Sequence, residues 1–218
     1  MQPYFVPYAG YFRLFAAADV VVMFDCVQFP RHGWVHRNRL PISSDATDWF
    51  TLPLGKAARE ARISELTFPP DARARMEARM QRFPILVQAR KNGTPLIDRL
   101  LQIANDPVAE YLAGLIDDLT RMLGLERTMV RSSTLGISAE LRAQDRVIAI
   151  AQRLGATRYV NLSGGRALYD HATFAGAGID LAFLTPYGGA MESILARLLA
   201  EEAPVLKEEI LRETILEP

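Results

Sequence analysis

Asp25, Gln28, Arg31, His32, His36, Arg37, Asn38 and Arg39 crowd one short stretch of the chain. A carboxylate, imidazoles, amides and guanidiniums at that density suit acid–base chemistry on a polar, anion-bearing ligand. Asp25 is the best carboxylate candidate, because it closes the apolar run Val20–Phe24 and opens the polar cluster. His36 is the second candidate base. Arg37 and Arg39 offer forked donors for phosphate, and Gln28 and Asn38 offer hydrogen bonds to hydroxyls. The other reading is an ordinary solvated loop after a strand. His32 and His36 stand four apart, the spacing of a helical zinc pair, but Pro30 and Gly33 break helicity and no third ligand is evident, so no metal is expected. Cys26 reads as a small buried packing residue.

Three further stretches carry chemistry. Gln2–Gly10 is a Pro- and aromatic-rich loop in which Gln2, Tyr8 and Gly10 are candidate substrate contacts. Arg131-Ser132-Ser133-Thr134 leaves a strand end, where Arg131 and Ser132 suit phosphate or sugar hydroxyls, or the hydroxyls cap the next helix. Ser163-Gly164-Gly165-Arg166 stands between a strand and a helix. Its backbone N–H groups and Arg166 could cradle phosphate, or the pair of glycines makes a tight βα turn. Asn161, at that strand's end, could hold a hydroxyl.

The elements that must position these groups follow from periodicity. Tyr11, Leu14, Phe15 and Ala18 have helical spacing. Val20–Phe24 is a β-branched run of the kind buried on both faces of a sheet. Trp49–Leu54 reads as a strand, and Ile63 with Leu66–Phe68 as an edge strand. From Asp71 to Gly124 the pattern is helical: Asp71–Arg82, Ile85–Lys91, a start at Thr94-Pro95 and another at Asp106-Pro107. This stretch is either a cap subdomain, 71–124, or a long crossover. Strands at Thr128–Arg131, Arg158–Asn161 and Ile179–Leu184 then alternate with helices at Ala143–Leu154, Ala167–Phe174, Glu192–Leu199 and Pro204–Leu216. The expected fold is α/β: one domain, 1–218, with a parallel-sheet, Rossmann-like body and a helical insertion. In such a sheet Asp25, Ser132 and Asn161 would share one rim, with Arg37, Arg39 and Arg166 around phosphate.

Half of the 218 residues are hydrophobic, and 25 basic residues balance 25 acidic ones. Zero net charge argues against nucleic acid as partner and leaves a small-molecule substrate. No apolar run is long enough to span a bilayer, and no secretory leader is evident. A single cysteine precludes an internal disulfide, so the chain reads as cytoplasmic. Oligomeric state is not legible.

The stretches QPYFVPYAGYF, DCVQF with GWVHRNR, RYVNLSGGRALYD and GIDLAFL resemble the WbqC-like protein family of bacteria, found among surface-polysaccharide and O-antigen genes. The likeness spans most of the chain. It implies a glycine transferase of lipopolysaccharide biosynthesis that decorates an amino sugar, carried on a nucleotide. Amide formation then requires an activated carboxyl, an acyl adenylate made from ATP or a thioester. Asp25 or His36 would deprotonate the amine, and Ser163, Gly164, Gly165 and Arg166 would hold phosphates. The alternative is a non-catalytic nucleotide-sugar binder or partner module. Three departures stand out: relatives carry an apolar strand before the QP motif, Cys26 replaces a second Asp, and His36 replaces an Asn. The helical middle also matches poorly. The first unit is faintly similar to nucleotidyltransferases of the HIGH type (HUP fold), with Gly10-Tyr11 where Gly-His would stand; their catalytic histidines are absent.

Overall fold

The computed structural model describes residues 1–103 and 107–217. The opening loop runs into a 3-10 turn, Ala9–Phe12, and α1, Arg13–Ala17. Tyr11, Leu14 and Phe15 are buried, as their spacing requires. β1, Val20–Met23, pairs in parallel with β4, Thr128–Arg131, with Val20 opposite Thr128 and Met23 opposite Arg131. On the other edge of β1, Met1 makes one parallel rung. Its amine donates to the Val22 carbonyl at 2.8 Å, and its carbonyl accepts from the Phe24 N–H at 2.7 Å.

The expectation that Val20–Phe24 is buried on both faces is corrected. Val21 and Met23 are buried, but Val20 is 38% exposed. It stands at the strand's entrance beside exposed Asp19, and a run of valines reads alike whether one face is covered or two. The expected edge strand at Ile63–Phe68 is a 3-10 turn, Ile63–Glu65. Backbone bonds from Phe29 to Ala61, Ile63 to Val27 and Ser64 to Asp25 clasp this segment along the exit from β1.

β2, Arg37–Pro41, and β3, Thr47–Thr51, form an antiparallel hairpin with Arg39 opposite Trp49. Asn38, Leu40 and Phe50 are buried, while Arg37, Arg39 and Trp49 share the other face, the two-residue period of a strand. α2 (Ala72–Met80), α3 (Pro84–Lys91), α4 (Pro95–Leu100) and α5 (Val108–Met122) follow. Pro84 and Pro95 open their helices at the first position, where no N–H is needed. The expected helix start at Asp106 lies outside the described residues. Gly124, at φ +60°, ends α5 in the left-handed conformation that glycine tolerates. The buried faces of these helices join Phe5, Phe50 and the later helices in one apolar cluster.

After β4 come α6 (Ala143–Arg153), β5 (Arg158–Leu162), a 3-10 turn (Ser163–Leu168), α7 (His171–Gly176), β6 (Asp180–Leu184), α8 (Ile194–Ala200), α9 (Ala203–Arg212) and β7 (Leu216–Glu217). β5 and β6 are parallel, and β7 returns antiparallel to β6. The chain is thus a mixed α/β structure with short parallel pairs, not a wholly parallel sheet. Two expected helices are shortened. Ala167–Phe174 divides between the 3-10 turn and α7, and Pro204–Leu216 ends at Arg212, where Thr214–Leu216 turns back to pair. A second, smaller core gathers Val147, Ile148, Ala151, Phe174, Ile179, Leu181 and Phe183. Met23 belongs to the first core and Phe24 packs on the second, so the carboxyl end of β1 lies where the two meet. No helix among the described residues is long and apolar enough to cross a membrane.

Candidate functional site

The junction is held by Asp25, which is fully buried. Its Oδ1 accepts from Ser132 Oγ at 3.0 Å and from the Ser133 N–H at 2.8 Å, and its Oδ2 accepts from Ser133 Oγ at 2.7 Å. Ser132 Oγ in turn accepts from the N–H groups of Asp25 and Cys26 at 3.1 and 3.2 Å. Arg131 Nε lies 3.9 Å from Oδ2, while its Nη2 pairs with Glu110 at 3.0 Å. A buried carboxylate is tolerated only when its charge is met by donors, and here both oxygens are met. Asp25 and Ser132 therefore come together as expected, but as a clasp between the exits of β1 and β4. The Ser132 hydroxyl is spent within it.

Just beyond the clasp the chain opens into a cleft of about 420 Å³. Phe24, Cys26, Val27 and Gln28 form one wall, Arg142, Ala143 and Arg146 at the start of α6 a second, and Glu60 and Arg62 a third. Arg146, only 7% exposed, is fixed by the carbonyls of Leu141 (2.9 Å) and Ser138 (3.0 Å) and donates to Cys26 Sγ at 3.3 Å. Of the residues singled out from the sequence as contacts or bases, Gln28 lines this cleft; its Nε2 donates to the Arg59 carbonyl at 3.0 Å. Cys26, read as packing, lines it too.

The other candidates close on their own neighbours. Asn38 is buried and donates to the carbonyls of Val6 (2.7 Å) and Phe5 (3.3 Å), while its Oδ1 accepts from the Arg39 N–H. Val6 sits at φ 39°, a strained conformation for a β-branched residue; Ser193 Oγ also donates to its carbonyl at 2.6 Å. Asn38 thus acts on the Gln2–Gly10 loop. Within that loop the Gln2 carbonyl accepts from the Tyr11 hydroxyl, and the Tyr8 ring packs on Tyr187. A Cβ on Gly10 would lie 2.4 Å from the Tyr8 ring and 2.6 Å from that of Tyr187, which explains the glycine.

His36 packs edge-on to Phe29, and its Nδ1 is buried with no hydrogen-bond partner among the described residues. Burial, and then the charges of Arg37, Arg79 and His32, push its pKa down to about 4, so it is neutral near pH 7. Arg37 and Arg39 stack on Trp49, with guanidinium carbons 4.1 and 5.0 Å from the ring centre. Asn161 lies 3.4 Å from the Tyr169 hydroxyl. Ser163–Arg166 form part of the 3-10 turn. Gly164 has open space around its missing Cβ, whereas a Cβ on Gly165 would meet Asn161 at 2.6 Å. Arg166 stacks on Phe183 and pairs with Glu217 at 2.9 Å. None of these bonds joins the hairpin, the glycine turn and the Asp25 clasp into one set.

Arg62, Arg142 and Arg146 were not among the sequence candidates. One signal pointed to two of them: Arg142, the N-cap, and Arg146 stand at the start of a helix, where the dipole favours acidic residues. Arg62 carries no local signal, since only the fold brings its segment to the exit of β1. No group of three or more His, Cys, Asp or Glu side chains among the described residues could hold a metal.

A family model described as the WbqC-like protein family matches residues 2–189. The chain is similar to an uncharacterized protein of Mycobacterium tuberculosis, Rv1507c, at 25% identity over 187 residues, covering 80% of this chain and 75% of that one. No solved structure matches.

Proposed function

This chain belongs to the WbqC-like protein family, and from that premise we propose that it transfers glycine or another small acyl group to the amine of a nucleotide-linked amino sugar in surface-polysaccharide synthesis. The observation that carries the reading is the open cleft at the carboxyl end of β1, whose volume of about 420 Å³ is in the range of small-ligand sites. The two parallel pairs are read as parts of a Rossmann-like layer, whose ligands gather at that end of the strands. Gln28, on the wall, would meet sugar hydroxyls. The acyl donor is an adenylate formed with ATP or a thioester, both cytoplasmic compounds.

A second reading is favoured by the state of the two candidate bases. Asp25 has both oxygens bonded, and His36 is a weak base at pKa about 4. A nucleotide-sugar binder that presents its ligand to a partner enzyme needs neither. The experiment is incubation with nucleotide amino sugars, isotopically labelled glycine and ATP or glycyl thioester, followed by mass spectrometry of the sugar. A labelled glycyl amide on the sugar supports transfer. Saturable binding of the nucleotide sugar without that product supports the binder and refutes the transferase.

A further inference from the structure

Three arginines, Arg62, Arg142 and Arg146, line the cleft beyond β1; the Arg142 guanidinium also donates to the carbonyls of Ala139 and Leu141. Among the described residues none of them pairs with a carboxylate. Glu60 is the single carboxylate among the described lining residues, which leaves two positive charges in excess. Cations converging on one cavity repel each other, and that cost is relieved when an anion joins them. The first turn of α6 adds to the field. Its N-cap, Arg142, supplies no side-chain acceptor, and Ala143 at its first position lines this wall, although Asp145 in the same turn offsets part of the dipole. Arg146 is positioned before any ligand arrives, held by two carbonyls. Its third bond goes to the Cys26 sulfur, a weak acceptor that an oxyanion readily replaces.

We propose that this cleft is a pyrophosphate subsite, gripping the diphosphate of a nucleotide-linked substrate through Arg62, Arg142, Arg146 and the first turn of α6. Two excess positive charges match the two negative charges of a pyrophosphate diester. A volume of about 420 Å³ leaves room for an attached sugar or ribose, which a lone phosphate would not fill. The inference deepens the transferase reading by naming the part of the substrate that is held, and moves the phosphate site away from the glycine turn, where Arg166 already pairs with Glu217.

The test is calorimetric titration of the full chain with inorganic pyrophosphate, UDP and, as the uncharged control, uridine. Arg62 and Arg142 are exposed, so Arg62→Ala and Arg142→Ala should fold. Pyrophosphate and UDP are expected to bind and uridine not. Each variant is expected to weaken binding roughly 10- to 100-fold, the worth of one charged hydrogen bond, and Arg166→Ala to leave it unchanged. Failure of pyrophosphate and UDP to bind overturns the proposal, as does affinity that survives in both cleft variants or is lost in Arg166→Ala. The two readings fail separately. If pyrophosphate binds as expected and no acyl transfer is found, the transferase reading falls and the subsite stands. If transfer occurs and both cleft variants keep the native KM for the nucleotide sugar, the subsite falls and the transferase stands.

Discussion

Replacing Asp25 separates a base from a clasp. In Asp25→Asn one oxygen remains and an NH2 replaces the other, and the charge is lost. The native carboxylate takes donors from Ser132 Oγ, which is buried with it, and from the N–H and Oγ of Ser133, an exposed residue. A hydrogen bond to a charged group contributes about 1.5–3 kcal/mol. The Asn amide keeps one set of donors as neutral bonds, and the Ser133 hydroxyl can turn to accept from the NH2. The expected loss is therefore about 1–3 kcal/mol, and for Asp25→Ala, which leaves the buried Ser132 hydroxyl without its acceptor while the exposed Ser133 can turn to water, about 2–4 kcal/mol. With a urea m-value of about 2 kcal/mol/M, Asp25→Asn should lower the unfolding midpoint by roughly 0.5–1.5 M without changing the slope. Ser133→Ala tests the same bonds from the other side. In a double-mutant cycle the two changes should fall short of additive by about 1–2 kcal/mol, because each removes the same interaction. If Asp25→Asn unfolds within about 0.5 kcal/mol of the native chain, the clasp argument is wrong and Asp25 becomes available again as a base.

Asn38→Ala should cost about 1–3 kcal/mol by urea unfolding, since it removes the buried donor shared by the Phe5 and Val6 carbonyls and leaves the strained loop held at Val6 by Ser193. Gly165→Ala should destabilise by about 1–3 kcal/mol, because its Cβ would press on Asn161, while Gly164→Ala, with open space, should change stability by less than about 0.5 kcal/mol. Equal effects at the two glycines would refute the packing account of the turn. His36 has a folded pKa depressed to about 4 from 6.5, so below pH 6.5 the unfolded chain takes up a proton that the folded chain refuses. Its contribution is complete above about pH 6.5 and is lost as the pH falls towards 4, by about 1–2 kcal/mol after discounting for its partial exposure. His36→Gln should flatten the stability profile in that window; an unchanged profile would locate the titration elsewhere.

Local pattern alone determined a good deal of this protein. Thr128–Arg131 is a strand at the bounds read from the sequence, and the Pro84, Pro95 and Gly124 punctuation sets helix ends, because turns and caps depend on residues adjacent in sequence. The stretches that carry the family likeness were equally legible. Other features were settled only by tertiary packing. β2 hid inside a polar cluster, because Arg37-Asn38-Arg39 alternates faces only once Phe50 gives Asn38 and Leu40 a core to enter. β7 became a strand because β6 offered a free edge to Leu216. Asp25 was legible as a carboxylate at a strand end, but its role depends on Ser132 and Ser133, more than a hundred positions away. The cleft draws on residues 24–28, 60–62 and 142–146. Sequence order does not encode which polar groups two cores will desolvate where they meet, and that desolvation decides whether a charge becomes a clasp or faces a cleft.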